Sequence, residues 1–482
     1  MLCLPVLGPS VLEAQKQIEE ASAVAHLLEF RLDLFTDCNI KALKELRDQI
    51  SIPVIFTLRQ QNHGGCYRGS EEERLKKILE LAALSPTYLD LEEDIPSTFI
   101  EHLRQTFPQL KLIISYHHFL HTPSDLEHIL YRMRCLPAHM YKIACMANST
   151  LDSLRMLSFM RQHAPLLGMC MGEKGELTRV LATTMGAPWV FSYLHQKTAE
   201  GQLCAQHLRQ IYHYDSLTTT SSIYGLIAER IETSLSHFTH NRVMHDFQLA
   251  SVYVKITLAK EELSDFFILA KQLGIKGLSV TMPFKELVIP FLDELDHDAQ
   301  CIGAVNTLVF QHNRLIGYNT DGIGALNAIE AKQSVYQQRI TILGAGGAAR
   351  AIIYEALKRG AKVRILNRTL EKALKLASEF GIEAGPLELA QDHAYDILIN
   401  TTPHPMPVSA SAIRPYSLVM DIKSRPKMTA LLESAHEKMC SFVFGYEMFV
   451  NQAVEQYALW VPSLLDKKKV HKILQEEALK HL

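Results

Sequence analysis

The chain has 482 residues, of which 48% are hydrophobic and 21% are charged, and its formal net charge is −3. These values are typical of a globular protein of more than one domain, and the small net charge excludes a general attraction to nucleic acid or to a membrane surface. The nine cysteines are scattered without a CxxC pair, which predicts free thiols in a reducing cytoplasm and neither a disulfide framework nor a metal site. We also expect no signal peptide and no membrane helix, because no apolar run approaches the roughly 18 residues that such a helix needs.

Eight short apolar runs alternate with amphipathic stretches in the first 195 residues. In chain order they are LCLPVL, HLLEFRLDLF, PVIFTLR, YLDLE, KLIISYHH, HMYKIACM, PLLGMCMG and WVFSYLH. The stretches between them, such as SVLEAQKQIEEASA, have the period and composition of helices. This alternation predicts a parallel sheet. Eight units favour a closed (β/α)8 barrel that ends near Tyr212, with an open doubly wound sheet as the alternative.

Polar residues gather at the carboxyl ends of these runs, where such a barrel carries its chemistry. They are Glu29, Arg31, Arg59, His117, Lys142, Arg179, Thr198 and Gln202. Several cations, one histidine, a hydroxyl and an amide together predict a pocket for a small, hydroxylated anion.

Lys142 lies inside the apolar run MYKIACM, where an unpaired charge costs several kcal/mol. A desolvated lysine near other cations gives up its proton more readily, and the neutral amine can attack a ketone to form an imine. The protonated imine acidifies the neighbouring carbon, from which His117 could remove a proton. The residues alone also allow a lysine that reaches the rim or pairs with Glu29, and a histidine with a structural role.

The motifs EFRLD, TLR, ISYHHF with HTP, YKIACM, STLD and KTAEGQ resemble, in order and spacing, those of type I 3-dehydroquinate dehydratases. The resemblance covers residues 1 to about 212. It implies that Lys142 forms a Schiff base, that His117 is the general base, and that the other polar residues hold the carboxylate and hydroxyls of the substrate. Thr198 stands where the family often has serine, His63 where it usually has glutamate, and His118 where it often has aspartate or asparagine.

The polar stretch YDSLTTTSS predicts a linker near residues 215–222, after which strand and helix signals return. SVYVKITL and GLSVTMPF have the composition of strands, and KEELSDFFILAKQLG has the pattern of a helix ended by glycine.

The segment RITILGAGGAARAIIYEALKRGAKVRILNRT has the pattern of a strand, a glycine-rich turn, a helix and a second strand. Gly344, Gly346 and Ala349 fit GxGxxG/A, in which glycine lets a pyrophosphate approach the amino terminus of the helix. The second strand ends in NRT with no acidic residue, and Arg368 suits a 2′-phosphate, so NADP is favoured over NAD. A glycine cluster that serves only helix packing is the alternative.

Further polar signals flank this nucleotide-binding pattern. They are Ser234, Ser236, Thr281, Lys285, Asn306, Asp321 and Gln452. Each alone has a plain interpretation, such as a turn at Asn-Thr-Asp-Gly. Taken in order, TMPFKE, AVNT, NTDG, GAGGAAR and NRT resemble shikimate dehydrogenases over about residues 222 to 482.

This second resemblance implies that Lys285 and Asp321 handle the proton while hydride moves between a nicotinamide and the substrate. Ser234, Ser236, Thr281, Asn306 and Gln452 would then bind the substrate. The implied NADP contacts are Gly344, Ala345, Gly346, Gly347, Ala348, Asn367, Arg368, Thr369, Lys372 and Gly445. The chain departs from the pattern with His237 for a proline, Ser279 for an asparagine, and Ser424 for a tyrosine that contacts substrate.

Dehydratase followed by dehydrogenase is the order of the fused bifunctional enzymes of the shikimate pathway. The implied α/β architecture is a (β/α)8 barrel over 1–214, a substrate-binding domain over 222–332 with helices of about 450–482 packing back on it, and a Rossmann NADP domain over 333–449. The expected substrates are 3-dehydroquinate, 3-dehydroshikimate and shikimate. A quinate/shikimate dehydrogenase using NAD and a metabolite sensor without activity remain alternatives, and the oligomeric state stays open.

Overall fold

The computed structural model describes residues 1–36, 39–231, 234–463 and 466–482. The chain forms two compact units, one of Met1–Ser221 with Asp265–Gly274 and the other of Ser222–Ser264 with Ile275–Leu482. Within the described ranges, no helix combines the length and the apolar character needed to cross a membrane.

The first unit contains eight parallel strands that alternate with helices. The strands are β1 (Leu2–Val6), β2 (Leu27–Arg31), β3 (Val54–Thr57), β4 (Tyr88–Glu92), β5 (Lys111–His118), β6 (Met140–Met146), β7 (Leu167–Met171) and β8 (Val190–Phe191). The helices are α1 (Val11–Ser22), α2 (Ile40–Asp48), α3 (Glu71–Ala82), α4 (Ser97–Thr106), α5 (Leu126–Arg134), α6 (Thr150–Gln162), α7 (Glu176–Val180) and α8 (Ala205–Gln210). The strand order β7-β6-β5-β4-β3-β2-β1-β8 runs without reversal and brings β8 beside β1. An open doubly wound sheet would reverse its order, so the predicted barrel is confirmed.

Two layers of side chains fill one face of these strands, because successive residues of a strand point to opposite faces. The deeper layer is an apolar cluster that includes Leu27, Ile55, Ile113, Met140, Leu167 and Trp189. Two residues further along their strands, the same face carries Glu29, Thr57, Ser115, Lys142, Met169 and Phe191. Strand alternation therefore places a polar layer directly above an apolar floor.

Side-chain caps set the starts of two barrel helices. Ser70 and Glu73 form a capping box at α3, and Ser149 and Asp152 form one at α6. Each box satisfies backbone N–H groups that the first turn of a helix leaves without partners.

The second unit begins with a mixed sheet of six strands. These are β9 (Ser222–Ala228), β10 (Ser251–Thr257), β11 (Ile275–Val280), β12 (Glu294–Leu295), β13 (Thr307–Gln311) and β14 (Arg314–Tyr318). The accompanying helices are α9 (Ser236–Asp246), α10 (Leu263–Gln272), α11 (Phe284–Leu287), α12 (His297–Ile302) and α13 (Asp321–Glu330). The order is β10-β9-β11-β13-β14-β12, and β13 runs antiparallel to both of its neighbours. Most of α10 belongs to the first unit.

A second six-stranded sheet, parallel throughout, follows in the same unit. Its strands are β15 (Arg339–Leu343), β16 (Lys362–Leu366), β17 (Glu383–Gly385), β18 (Ile397–Asn400), β19 (Leu418–Asp421) and β20 (Ser441–Val443). Its helices are α14 (Gly347–Lys358), α15 (Leu370–Phe380) and α16 (Ala430–Glu437). The order β17-β16-β15-β18-β19-β20 reverses between β15 and β18. Ligands of open α/β sheets bind at such a reversal.

Two final helices, α17 (Gly445–Trp460) and α18 (Lys467–Lys480), pack against the mixed sheet. Tyr457 and Trp460 share an apolar cluster with Tyr224 of β9 and Tyr253 of β10. The Trp460 indole Nε1 donates to the Leu308 carbonyl oxygen at 3.0 Å. This packing carries the α17 side chains to the sheet that holds the second set of predicted residues.

Candidate active sites

Lys142 lies inside the barrel between two carboxylates. The residue is only 6% exposed, and its Nζ donates to Asp90 Oδ2 at 3.0 Å and lies 3.8 Å from Glu29 Oε1. The ammonium also lies 4.4 Å from the centroid of the Phe191 ring, which adds a cation–π contact. Ion pairing therefore offsets the free-energy cost of burying the Lys142 charge in an apolar strand.

Asp90 connects the cations of this polar layer. Its Oδ1 accepts from Arg59 Nη2 at 2.7 Å and from Ser115 Oγ at 2.6 Å. Burial alone would raise the pKa of the Asp90 carboxyl, but the positive charges of Arg59 and Lys142 hold that pKa well below its ordinary value. Asp90 therefore stays ionised and neutralises both cations.

Arg59 has a second buried carboxylate partner. Its Nη1 lies 3.4 Å from Glu92 Oε1, and Glu92 Oε2 accepts from Arg74 Nη1 at 2.7 Å. Burial opposes the charged guanidinium, yet Asp90 and Glu92 raise the pKa of Arg59 above its ordinary value. Asp90 and Glu92 were not among the predicted site residues. Their alternate positions in YLDLE, on a strand with a polar inner face, are the signal that could have identified them.

His117 lies on the same inner face as Lys142. The β5–β6 register pairs Ser115 with Lys142 and His117 with Ala144. His117 therefore lies two positions closer than Lys142 to the carboxyl ends of the strands, on the same face of the sheet. Burial lowers the pKa of His117 well below its ordinary value, and the charges of Arg59 and Lys142 lower it further. Its Nδ1 is buried and has no hydrogen-bond partner within the described residues. A neutral imidazole with such a nitrogen can act as a base.

The predicted arginines of the barrel differ in their partners. Arg31 makes a bidentate pair with Asp33, at 3.0 and 2.8 Å. Arg179 is 2% exposed, and its Nη1 contacts are Met169 Sδ at 3.2 Å and a backbone carbonyl at 3.5 Å. Burial lowers the pKa of Arg179 to about 10. In the described ranges no carboxylate pairs with it, so its charge is available to an anion.

Thr198 and Gln202 bind each other in the loop after β8. Gln202 Oε1 accepts from the Thr198 N–H at 2.8 Å, and Gln202 Nε2 donates to Thr198 Oγ1 at 2.8 Å.

The two histidines that depart from the family pattern have separate partners. His63 Nε2 lies 3.0 Å from Asp94 Oδ2, and His118 Nδ1 lies 2.8 Å from the His121 carbonyl oxygen.

A cavity of about 700 Å³ in the second unit collects the other predicted catalytic and substrate-binding residues. Its lining includes Ser234, Ser236, Thr281, Lys285, Asn306, Asp321 and Gln452, with Ala348 and Gly445 from the nucleotide-binding side. It also includes residues that the sequence did not predict, among them Arg230, Met282, Lys423, Arg425 and Gln456. The lining has apolar walls and convergent polar groups, as small-molecule sites commonly do.

Lys285 and Asp321 form the ion pair of this cavity. Lys285 Nζ donates a short hydrogen bond to Asp321 Oδ2, and Asp321 Oδ1 accepts from Asn306 Nδ2 at 2.9 Å. The Asp321 N–H donates to Asn319 Oδ1 at 3.0 Å, which orients the start of α13. The carboxylate is thus held from two sides and fixes the ammonium at the cavity wall.

An amide network continues from this pair to α17. Asn306 Nδ2 also contacts Thr320 Oγ1 at 2.9 Å and Gln452 Oε1 at 3.2 Å. The Thr320 N–H donates to Asn306 Oδ1 at 2.9 Å. Thr320 was not predicted, although it stands beside Asp321 in the NTDG motif.

The glycine-rich turn links β15 to the amino terminus of α14. Gly344 has φ +108°, and a Cβ there would lie 2.5 Å from Thr401 Oγ1, so glycine is required. A Cβ at Gly347 would lie 3.3 Å from Lys285 Cβ, which places the turn beside the ion pair.

The end of β16 carries the other predicted cofactor residues. Asn367 Nδ2 donates to the Thr369 carbonyl oxygen at 2.9 Å, while Arg368 and Lys372 are exposed. Neither cation pairs with a carboxylate of the described residues, and both, together with the amino terminus of α14, fit the phosphates of NADP.

Comparison with known proteins gives three family matches along the chain. Residues 2–219 match the model of type I 3-dehydroquinase, residues 226–308 that of the shikimate dehydrogenase substrate-binding domain, and residues 327–422 that of shikimate/quinate 5-dehydrogenase.

Relatives match over nearly the whole chain. The shikimate biosynthesis protein AroDE of Chlamydia pneumoniae is 35% identical over 470 residues, which cover 96% of each chain. The chloroplastic bifunctional 3-dehydroquinate dehydratase/shikimate dehydrogenase of Arabidopsis thaliana is 34% identical, over 95% of this chain and 82% of that one. A crystal structure of a shikimate dehydrogenase in complex with NADP+ matches 54% of this chain and 97% of its own, with 35% identity and a TM-score of 0.51.

Proposed function

The chain belongs to the family of bifunctional 3-dehydroquinate dehydratase/shikimate dehydrogenases, and on this basis we propose which of its residues carry out each reaction. The first reaction is the dehydration of 3-dehydroquinate to 3-dehydroshikimate. The second is the reduction of 3-dehydroshikimate to shikimate, with NADP as the cofactor.

In the barrel, the Lys142 amine attacks the ketone and forms an imine with loss of water. Neutral His117 removes a proton from the neighbouring carbon, and the protonated imine takes up the electron pair. The hydroxyl group then leaves as water with the proton from His117, and hydrolysis of the imine releases the product and Lys142. The observation that carries this proposal is a buried lysine on the same inner face as an uncharged histidine.

The neighbouring groups bind and orient the substrate in this proposal. Arg179 takes the carboxylate, because no carboxylate of the described residues pairs with it. The hydroxyl groups are held by Glu29, Arg31, Arg59, Thr198 and Gln202. Asp90 keeps Lys142 in position through the contact at 3.0 Å.

In the second site, NADPH would supply the hydride for the ketone carbon when it is bound. Lys285 donates the proton to the ketone oxygen, and Asp321 holds the ammonium at the cavity wall. The ring substituents are bound by Ser234, Ser236, Thr281, Asn306 and Gln452. The cofactor is held by the turn Gly344–Ala348, by Asn367, Arg368, Thr369 and Lys372, and by Gly445.

The three sheets support the domain limits. We propose a barrel domain over 1–214, a substrate-binding domain over 222–332 completed by 450–482, and an NADP domain over 333–449, because β1–β8, β9–β14 and β15–β20 lie within these ranges. We also propose a cytoplasmic location, since the buried thiols Cys3, Cys145 and Cys170 are free.

A coupled assay tests both reactions. With 3-dehydroquinate and NADPH supplied, the wild type oxidises the cofactor. Lys142→Ala stops this oxidation but still reduces added 3-dehydroshikimate, whereas Lys285→Ala stops both. Borohydride with 3-dehydroquinate traps an adduct on Lys142 that mass spectrometry detects. Folded wild-type protein without an adduct would contradict the Schiff-base mechanism.

A further inference from the structure

An arginine outside the predicted site lines the cavity of the second unit. Arg425 lies in the segment KSRPK between β19 and α16, and it lines the cavity with Ser234, Ser236 and Ser424. The side chain is half-buried, so part of its hydration has already been removed. Ser424, the residue before Arg425, has a small side chain.

No carboxylate of the described residues neutralises the Arg425 guanidinium. Its Nη2 donates to the His481 backbone carbonyl oxygen. Arg339, Arg350 and Arg364 of the same unit each pair with a carboxylate. Arg425 therefore retains a full charge and donor groups for a ligand.

The groups near Arg425 are mostly cationic, although the exposed Glu229 also lines the cavity. Burial lowers the pKa of the nearby His237 to about 3, and electrostatic effects of Lys255, His481, Arg425 and His240 lower it further. The buried His237 Nδ1 has no hydrogen-bond partner within the described ranges. This wall therefore favours a negatively charged group.

The serines alone do not supply that charge. Ser234 Oγ and Ser236 Oγ lie 3.1 Å apart, and both can donate to a carboxylate, but neither is charged. Ser236 also begins the 11-residue helix α9, whose amino terminus adds a favourable dipole. A guanidinium matches the two oxygens of a carboxylate with parallel N–H groups.

We propose that Arg425 binds the substrate carboxylate of the dehydrogenase site and sets its preference for acids over neutral analogues. This inference rests on the proposed function of the cavity. It assigns the charge recognition to the loop after β19, and leaves the hydride and proton steps to the cofactor and Lys285.

The test compares shikimate with its neutral carboxamide in the oxidation direction with NADP+. Losing a charge-assisted contact of about 1.5–3 kcal/mol corresponds to roughly 10- to 100-fold. We expect Arg425→Met to raise the KM for shikimate by about that factor and to leave turnover of the carboxamide nearly unchanged. Arg425→Lys keeps the charge but lacks the parallel N–H groups of the guanidinium, so its KM for shikimate should lie between those of the wild type and Arg425→Met.

Arg230→Met is the matched control, because Arg230 lines the same cavity but is exposed. Its KM for shikimate stays near the wild-type value. The proposal is overturned if Arg425→Met leaves the ratio of kcat/KM for shikimate to kcat/KM for the carboxamide unchanged. It is also overturned if the rise in KM for shikimate appears in Arg230→Met instead. NADP+ affinity and dehydratase rate report folding of each variant, and Arg425→Lys serves if Arg425→Met does not fold. A wild type that oxidises neither compound refutes the dehydrogenase function itself, which is a different result.

Discussion

The two sites of this chain place the lysine that we propose as catalytic in different surroundings. Lys142 belongs to a closed layer in which Asp90 and Arg59 are both at most 3% exposed. Lys285 stands at the wall of a cavity and, within the part of the chain that the structure describes, has one ion-pair partner, Asp321. In the barrel the groups that prepare the chemistry also stabilise the fold, whereas in the cavity they mainly orient the ligand. Substitutions of the ion-paired residues in the barrel site should therefore lower both the free energy of unfolding and the reaction rate, whereas substitutions in the cavity should mainly lower the rate.

The largest effect is expected at Asp90. Asp90→Asn leaves the buried charges of Arg59 and Lys142 without their common partner, which destabilises the barrel by about 3–5 kcal/mol. The chain has two tryptophans, and Trp189 lies in the barrel cluster while Trp460 lies in the second unit. Denaturant unfolding followed by Trp189 fluorescence in a Trp460→Phe background measures the change. An unchanged midpoint would contradict the role of Asp90.

Arg179 sharpens the comparison, because it is buried without a carboxylate partner. Arg179→Leu should raise the KM for 3-dehydroquinate roughly 10- to 100-fold, as expected for a lost charge-assisted contact. It should leave the unfolding free energy of the barrel unchanged or higher, since no buried partner is left unpaired. Arg59→Leu is the matched control and should destabilise the barrel. Equal destabilisation by both variants would refute this distinction.

Gln452 tests the cavity, where rate should respond more than stability. Gln452→Leu removes a contact of Asn306 and a group facing the cavity, so kcat/KM for shikimate should fall by roughly 10-fold. Dehydratase activity should not change. Asn451→Ala, on the same helix, is the control, because the hydrogen bond of its side chain among the described residues goes to the Glu447 carbonyl oxygen. A loss of dehydratase activity in Gln452→Leu would contradict the expectation that this substitution affects only the dehydrogenase site.

The pH dependence of the dehydratase should reflect the environment of His117. Burial and the charges of Arg59 and Lys142 lower its pKa, so the imidazole remains an active base below the ordinary histidine value of about 6.5. The acid limb of kcat/KM should lie below that pH. The unfolded chain binds a proton there that folded His117 does not, so this group destabilises the fold as pH falls below about 6.5. An inflection near the ordinary value that His117→Gln removes would contradict the assignment.

The smallest effect is expected at the His63–Asp94 pair. The hydrogen bond to Asp94 raises the pKa of His63, so its stabilisation is complete below the ordinary histidine pKa and is lost as pH rises through the raised value. The pair is partly exposed and should contribute less than about 1 kcal/mol. NMR titration should show the His63 pKa falling in Asp94→Asn. No fall would show that the pair does not form in solution.

One rule of position selected the candidate residues of the barrel from the sequence. Polar residues at the carboxyl ends of apolar runs were chosen, among them Glu29, Arg59, His117 and Lys142. The same rule applied to YLDLE would have selected Asp90 and Glu92, which were read only as part of a strand. The predicted cationic pocket was therefore incomplete, because two buried carboxylates balance its charge.

The cavity of the second unit depended much more on tertiary structure. Asn306 and Gln452 meet although 146 positions separate them, and no local period connects them. The motif resemblance selected both residues, but it identified neither Arg425, which lines the cavity, nor Thr320, which contacts Asn306.

The sequence by itself determined the succession of strands and helices and the glycine turn at Gly344. These follow from local periodicity and from backbone conformations that few residues can adopt. Only the tertiary structure decided which charges are paired and which remain free, as the contrast between Arg59 and Arg179 demonstrates. Ion pairing depends on distances and desolvation among residues that lie far apart in the chain, and spacing along a sequence does not encode them.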